Sequence, residues 1–198
     1  MMKSRVVLLS SLLLAMLIPL MVLGSSGCGR GTDTPKNEVW TRQFGTLEDD
    51  NVHAMVADEL GNIYMAGGTG WPGQSSYLGL GIEQLDDTFI AKYDASGNEV
   101  WTRQFGTSGN DLAYAMVADG SGNIYVAGGT EGSFPGQTSS GGVDAFIAKY
   151  DTSGNEIWTT QFGTGDFDVV RAMVADGSGN MYVTGKTGGD VFIMKLRD

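Results

Sequence analysis

The chain has 198 residues and a formal net charge of −11, from 12 Lys and Arg against 23 Asp and Glu. Its basic residues are scattered without a cluster, so the chain lacks the basic face that neutralises phosphates, which excludes nucleic-acid binding. It contains one cysteine, which excludes an intrachain disulfide.

The N-terminus has the pattern of an export signal. Lys3 and Arg5 precede an apolar run over residues 6–23, and Cys28 follows where the chain turns polar. This arrangement resembles the lipobox of bacterial lipoproteins, in which the cysteine is lipidated and becomes the first mature residue. We therefore predict lipidation at Cys28. An ordinary cleaved signal and an uncleaved membrane anchor are the alternatives.

The rest of the chain repeats itself at offsets of 61 and 57 residues. Register is kept by two phrases, E-[VI]-W-T-[RT]-Q-F-G-T and A-M-V-A-D, each present three times. The first phrase begins at Glu38, Glu99 and Glu156, and the second begins at Ala54, Ala115 and Ala172.

Each phrase is a short run rich in Val, Ile, Tyr, Phe and Trp, bounded by Gly, Asn, Asp and Ser, which predicts a strand between turns. The order within a unit is A-M-V-A-D, N-I-Y-V-A-G, F-I-A-K-Y and E-V-W-T-R-Q-F. Repeated four-stranded units predict an all-β fold, a β-propeller built from three four-stranded blades and preceded by a hydrophobic signal segment.

Five pentamers that begin with Asp and end with Gly-Asn separate these strands. An Asp side chain accepts from backbone N–H groups ahead of it, and Gly and Asn tolerate positive φ, so the pentamers predict tight hairpin turns. Calcium binding through the same oxygens is the alternative, although a bidentate Glu is missing from the EF-hand position. We expect no cofactor and no metal site. The pentamers begin at Asp58, Asp94, Asp119, Asp151 and Asp176.

The unit from Ala115 to Asn155 resembles the SBBP, or bacterial β-propeller, repeat. Its phrases are A-M-V-A-D-G-S-G-N-I-Y-V-A-G-G-T, F-P-G-Q and G-G-V-D-A-F-I-A-K-Y-D-T-S-G-N. The resemblance implies blade architecture in an exported protein and is nearly silent on activity. The predicted division is an export signal at 1–27, a linker at 28–36 and a repeat domain at 37–198, with repeats at about 37–97, 98–154 and 155–198.

Several aromatic residues recur at equivalent positions, which favours packing between blades over ligand stacking. They are Trp40, Trp101 and Trp158, and Phe44, Phe105 and Phe162. Trp71 differs, because it lies in the long loop between the second and third strands, in W-P-G-Q, where an aromatic can contact a partner or fold back on the blade. The corresponding loop of the second repeat carries Phe134 in F-P-G-Q, and the third repeat lacks this loop.

The residue before A-M-V-A-D changes from repeat to repeat, as His53, Tyr114 and Arg171. Variation inside a fixed frame is where a site on a repeat scaffold is expected, so these three residues are the candidate channel site. A second candidate set, five residues before each Met of that phrase, is able to hold a cation or cap a turn, and we favour the cap. This set is Asp50, Asp111 and Asp168.

No catalytic constellation is present, so the sequence favours a non-catalytic binding or scaffolding module in the cell envelope, facing the periplasm or the surface, with a protein or carbohydrate ligand. A secreted protein, a propeller hydrolase or lyase acting on carbohydrate, and a remnant of a longer propeller are the alternatives.

The order of the terminal strands predicts an oligomer. Residues 38–44 have the sequence of a fourth strand, whereas residues 192–196 have that of a third strand. Propellers typically have four to eight blades, and three sheets spread around one axis leave wide wedge-shaped gaps that side chains must fill. We therefore expect two chains to exchange N-terminal strands in a six-bladed homodimer, with a three-bladed monomer as the alternative.

Overall fold

Eleven strands make up the part of the chain that the computed structural model describes, residues 38–45, 50–69 and 87–197, all within one compact unit. They form three antiparallel sheets, here named blades 1 to 3. Blade 1 contains β1 (Asp50–Ala57), β2 (Ile63–Thr69), β3 (Asp87–Tyr93) and β4 (Glu99–Phe105). Blade 2 contains β5 (Asp111–Ala118), β6 (Ile124–Thr130), β7 (Asp144–Tyr150) and β8 (Glu156–Phe162). Blade 3 contains β9 (Val169–Ala175), β10 (Asn180–Thr187) and β11 (Asp190–Arg197).

Strands follow one another in chain order within each blade, so every blade is a meander of hairpins. The all-β fold and the predicted strand order are thereby confirmed. Among the described ranges, no helix is long and apolar enough to cross a membrane.

Residues 38–44 differ from the prediction, because this segment forms no strand and blade 3 has three strands. A strand is defined by hydrogen bonds to a neighbouring strand. The segment has the residue pattern of β4 and β8, but within the described chain no strand equivalent to β3 or β7 pairs with it. The blades therefore begin at Asp50, Asp111 and Val169, later than the sequence repeats, because each E-[VI]-W strand closes the preceding blade.

The hairpin pentamers are confirmed as turns. In each, one Asp carboxylate oxygen accepts from the backbone N–H groups two and four residues ahead, and the other accepts from the Asn amide, as at Asp151 with Ser153 and Asn155. The preceding Gly has positive φ in all five copies, for example +78° at Gly154. Local side-chain bonds thus fix the reversals independently of the core.

The core lies between blades. One cluster joins blades 1 and 2 through residues such as Ile90 and Val126, and another joins blades 2 and 3 through Ile147 and Val183. All residues of β6 and β7 are buried, because blade 2 is covered on both faces. These strands therefore form the interior of a three-layer stack of sheets.

Candidate functional site

A β-bulge interrupts each inner strand at the variable position that the sequence singled out. In β1, Val52 pairs with Gly67 and Ala54 pairs with Ala66, so His53 is the extra residue. Tyr114 in β5 and Arg171 in β9 have the same place in their ladders. A bulge leaves its extra residue outside the regular pairing and redirects its side chain, which is common at binding sites.

A glycine opposite each bulge makes this geometry possible. A β-carbon on Gly128 would lie 1.8 Å from the carbonyl oxygen of Leu112, and one on Gly67 would lie 1.7 Å from that of Asn51. In blade 3 the corresponding distance, from Gly185 to the Val169 carbonyl oxygen, is 2.0 Å. The backbone crosses so closely here that only glycine fits.

The structure brings the three bulge residues together. The ring centroids of His53 and Tyr114 are 5.5 Å apart with a 30° interplanar angle, and the Arg171 guanidinium carbon lies 4.3 Å from the Tyr114 ring centroid. They form a row across β1, β5 and β9, which we call the bulge ladder. His53 and Arg171 are exposed and Tyr114 is half-buried, so the row faces solvent.

The bulge ladder is suited to binding through a charged, planar group. A guanidinium stacked on a phenol ring keeps its N–H edge available, and this edge matches a carboxylate in a two-point hydrogen bond. Within the described residues, Arg171 has no carboxylate partner. The His53 imidazole at the other end of the row adds a group that donates or accepts a hydrogen bond.

The acids Asp111 and Asp168 are fully buried. Asp111 accepts from the Thr107 N–H at 2.5 Å, and Asp168 accepts from the Thr164 N–H at 2.7 Å. Burial pushes the pKa of Asp168 upward, but donors from Thr164, Thr187 and Gly188 outweigh it and hold the pKa below the usual value. Asp50 lies at the same repeat position, close to Gly45. The two buried carboxylates thus make the contacts of a cap on the loop before each inner strand.

The loop equivalent to that of Trp71 folds its aromatic inward. Phe134 is 5% exposed and packs against Phe146, with ring centroids 5.2 Å apart. Its N–H donates to the Gln161 side-chain oxygen at 3.1 Å, so the loop is held on blade 2. Trp71 itself lies outside the described residues, as does Cys28.

The described residues include a small cavity that lies away from the bulge ladder. In the described ranges, no group of three or more His, Cys, Asp or Glu side chains is arranged to hold a metal ion. A cavity of about 220 Å³ lies between the first hairpin turns of blades 2 and 3, lined by residues that include Asp119, Tyr125 and Asn180. The bulge residues do not line it.

The sequence indicated the ladder residues but not the bulge that joins them. The signal lies in the second strand of each unit, where A-G-G-T, A-G-G-T and T-G-K-T place a glycine at the same position. A glycine in a strand interior marks a bulge or a close backbone approach. Because this glycine pairs with the residue before each bulge residue, the motif predicts which side chains are redirected.

Blades of repeated antiparallel strands, with variable residues on their inner strands, define a β-propeller-type repeat protein. The SBBP β-propeller repeat matches at residues 39–70, 100–135 and 157–193, which together exceed half of the chain. The chain belongs to this repeat family, as its motifs indicated.

Two relatives share part of the sequence. The regulatory protein FlaEY of Caulobacter vibrioides is 36% identical over 99 residues, which cover 46% of this chain and 10% of that protein. An uncharacterized WD repeat-containing protein of Acanthamoeba polyphaga mimivirus is 22% identical over 85% of this chain and 15% of its own length. The chain therefore spans a small fraction of both relatives.

Proposed function

We propose that this chain is an exported, lipid-anchored repeat protein of the cell envelope that acts as a non-catalytic binding module, with the bulge ladder as its ligand site. One observation carries the assignment of the ligand site. The variable position directly before the fixed phrase A-M-V-A-D, occupied by His53, Tyr114 and Arg171, forms one solvent-facing row. Repeat scaffolds bind through such variable positions on a constant frame.

We infer that the ligand is a protein segment that carries a carboxylate. Arg171 offers its N–H edge beyond the Tyr114 ring, and a stacked guanidinium has fewer conformations to lose on binding than a mobile one. The protein itself is strongly acidic, with a net charge of −11, so an exposed arginine is a local attraction on a repulsive surface. The regulatory and WD repeat relatives are consistent with a role in binding.

Nuclear magnetic resonance offers a direct test, because His53 is the only histidine and its ring protons give a single reporter. We expect a panel of acidic peptides to shift the His53 signals, and Arg171→Ala to abolish the shift. Arg171→Lys should bind more weakly than the wild type, because an ammonium cannot make the two-point contact.

Arg103→Ala is the matched control. Arg103 is also exposed and stacked on an aromatic ring, with 5.6 Å from its guanidinium carbon to the Trp101 centroid, but it lies on the outer strand β4. It should leave peptide binding unchanged. Equal losses in both arginine variants would contradict the proposal, as would binding of uronic-acid oligosaccharides in preference to peptides.

Export and lipidation rest on the charged residues, the apolar run and Cys28. In the bacterial envelope, we expect the mature protein to have lost residues 1–27 and to carry the mass of a lipid at Cys28. Cys28→Ser should yield an unprocessed or soluble form. If the variant and the wild type fractionate alike and both retain residues 1–27, the segment is an ordinary membrane anchor.

A further inference from the structure

Blades 1 and 3 each have one face that corresponds to a buried face of blade 2. In blade 2, the face towards blade 1 includes Met116, which is 9% exposed, whereas its counterpart Met55 in blade 1 is 69% exposed. The opposite face of blade 2 includes Ile147, which is fully buried, whereas its counterpart Ile193 in blade 3 is 80% exposed. The two open faces are thus the two halves of an interface that the chain already makes twice.

Segment 38–45 packs on blade 1 as an outer strand packs on the next blade. Phe44 contacts Phe89 of β3 edge-to-face at 6.3 Å and 82°, and Phe105 of β4 contacts Phe146 of β7 at 5.9 Å and 83°. The match extends to a second pair of residues in each case, in which a tryptophan ring covers the glycine of a hairpin turn.

A β-carbon on Gly97 would lie 2.8 Å from the Trp40 ring, and one on Gly154 would lie 2.9 Å from the Trp101 ring. Arg42 also lies over Trp40 at 5.8 Å, as Arg103 lies over Trp101 at 5.6 Å. Segment 38–45 therefore has the side-chain arrangement of an outer strand, although within the described residues no strand pairs with it.

The neighbouring strand that this segment fits is β11. Within the described residues, β11 pairs only with β10, and β11 corresponds to β3 and β7, which pair with β4 and β8. Val39 is 90% exposed, against 52% and 51% for its counterparts Val100 and Ile157, which stand beside a third strand. An edge of β11 and an edge of segment 38–45 are thus both open to pairing.

We propose that a second copy of this chain occupies both open faces, so that two chains close a six-bladed ring. The blade 3 face of each copy lies on the blade 1 face of the other, and segment 38–45 of one copy adds the fourth strand to β11 of the other. Six blades fall within the four to eight that close readily. A head-to-tail contact that closes after two copies gives a discrete dimer.

The internal interfaces specify individual contacts across the ring. Inside the chain, Ile90 and Ile147 each pack in a cluster between two neighbouring blades. By equivalence, Ile193 of one copy faces Val52 and Met55 of the other. Lys92 donates to the carbonyl of Thr152 at 3.2 Å. By equivalence, Lys195 of one copy donates to the Ala95 carbonyl of the other.

Native mass spectrometry of the full chain, purified in mild detergent, tests the proposal. The wild type should be a dimer. Ile193→Glu and Met55→Glu should each give monomers, because each change places a charge in both contacts of the ring. Leu60→Glu is the matched control, since Leu60 is 82% exposed but lies in a hairpin turn outside the two faces, and it should remain a dimer.

Mixing the two variants distinguishes this arrangement from symmetric ones. The Met55→Glu chain retains its blade 3 face and the Ile193→Glu chain retains its blade 1 face, so an equimolar mixture should form one-to-one heterodimers through one intact contact. A contact between two blade 3 faces or two blade 1 faces would give no heterodimer in the mixture. A wild-type monomer at all concentrations, or open-ended oligomers in place of a dimer, would overturn the ring.

Discussion

Blades 2 and 3 contain nearly the same third strand in opposite surroundings. β7 reads D-A-F-I-A-K-Y and the first seven residues of β11 read D-V-F-I-M-K-L, yet Ile147 is fully buried and Ile193 is 80% exposed. β7 lies between two strands of its own sheet and between two other blades, whereas β11 is an edge strand with one covered face. The difference teaches that burial in a repeat fold depends on a strand's neighbours rather than on its own residues.

The largest effect should come from shortening a side chain in the enclosed strand β7. Ile147→Ala removes a side chain from a site covered on both faces, and we expect a loss of about 4 kcal/mol in the free energy of unfolding, which includes the cavity left behind. The same change at Ile193 should cost less than about 0.5 kcal/mol in the monomer, because its side chain is already in water. Urea unfolding of both variants in the Met55→Glu background, which keeps the chain monomeric, measures the difference. Equal losses would contradict the comparison.

The next largest effect should come from the glycine opposite the bulge. Gly128→Ala forces a β-carbon against the carbonyl oxygen of Leu112, so β5 and β6 must separate, with an expected loss of about 2–3 kcal/mol. Thermal unfolding measures this loss. Gly120→Ala is the control within the same blade, because nothing lies within 4 Å of its β-carbon position, and it should be nearly neutral. The same substitution at Gly185 tests whether the edge of blade 3 yields more easily.

A gain in stability is expected where blade 2 buries a hydroxyl that blade 3 avoids. The Tyr150 hydroxyl is buried without a hydrogen-bond partner among the described residues, and the equivalent residue in β11 is Leu196. Tyr150→Phe removes the desolvation penalty of that group and should stabilise the fold by about 1 kcal/mol.

The pH dependence of Tyr150→Phe provides a second measurement. Burial raises the pKa of Tyr150. The unfolded chain therefore loses its phenol proton first, and stability decreases as the pH rises above about 10, the ordinary pKa of tyrosine. The variant should show a smaller alkaline decrease in melting temperature. A steeper decrease in Tyr150→Phe would contradict this account.

The smallest effect concerns the hairpin turns. The Asn155 N–H holds the pKa of Asp151 below its usual value, and the Asn180 side-chain amide does the same for Asp176. A lowered pKa stabilises the fold above about pH 4 and ceases to do so as the pH falls through the folded-state pKa.

Replacing each of these carboxylates by Ala should lower the melting temperature at pH 7, and the difference from the wild type should shrink towards pH 2. Asp151→Ala should have the larger effect, because the next residue of its turn, Thr152, accepts from Trp101 and Lys92 of blade 1. Differential scanning calorimetry at the two pH values checks both expectations. A larger effect of Asp176→Ala would show that contacts between blades do not stabilise the turn.

Most of the fold could be predicted from local sequence. Strand order followed from the repeated phrases, and the turns followed from the Asp and Gly-Asn positions, because both depend on short-range chemistry. The E-V-W segment at residues 38–44 was wrong as a strand, since a strand also needs a partner at the right distance. For the site, the sequence indicated His53, Tyr114 and Arg171 by their variation within a fixed phrase, but not their contacts.

By itself, the sequence determined the repeat and the hairpin turns, because these follow from residue type and spacing. Only the tertiary structure decided which of the residues at equivalent positions in the repeats are buried. It placed a bulge beneath His53, Tyr114 and Arg171 and stacked them across three blades. It also left one face of blade 1 and one of blade 3 open, because burial requires a second surface at contact distance, and no single strand encodes where that surface lies.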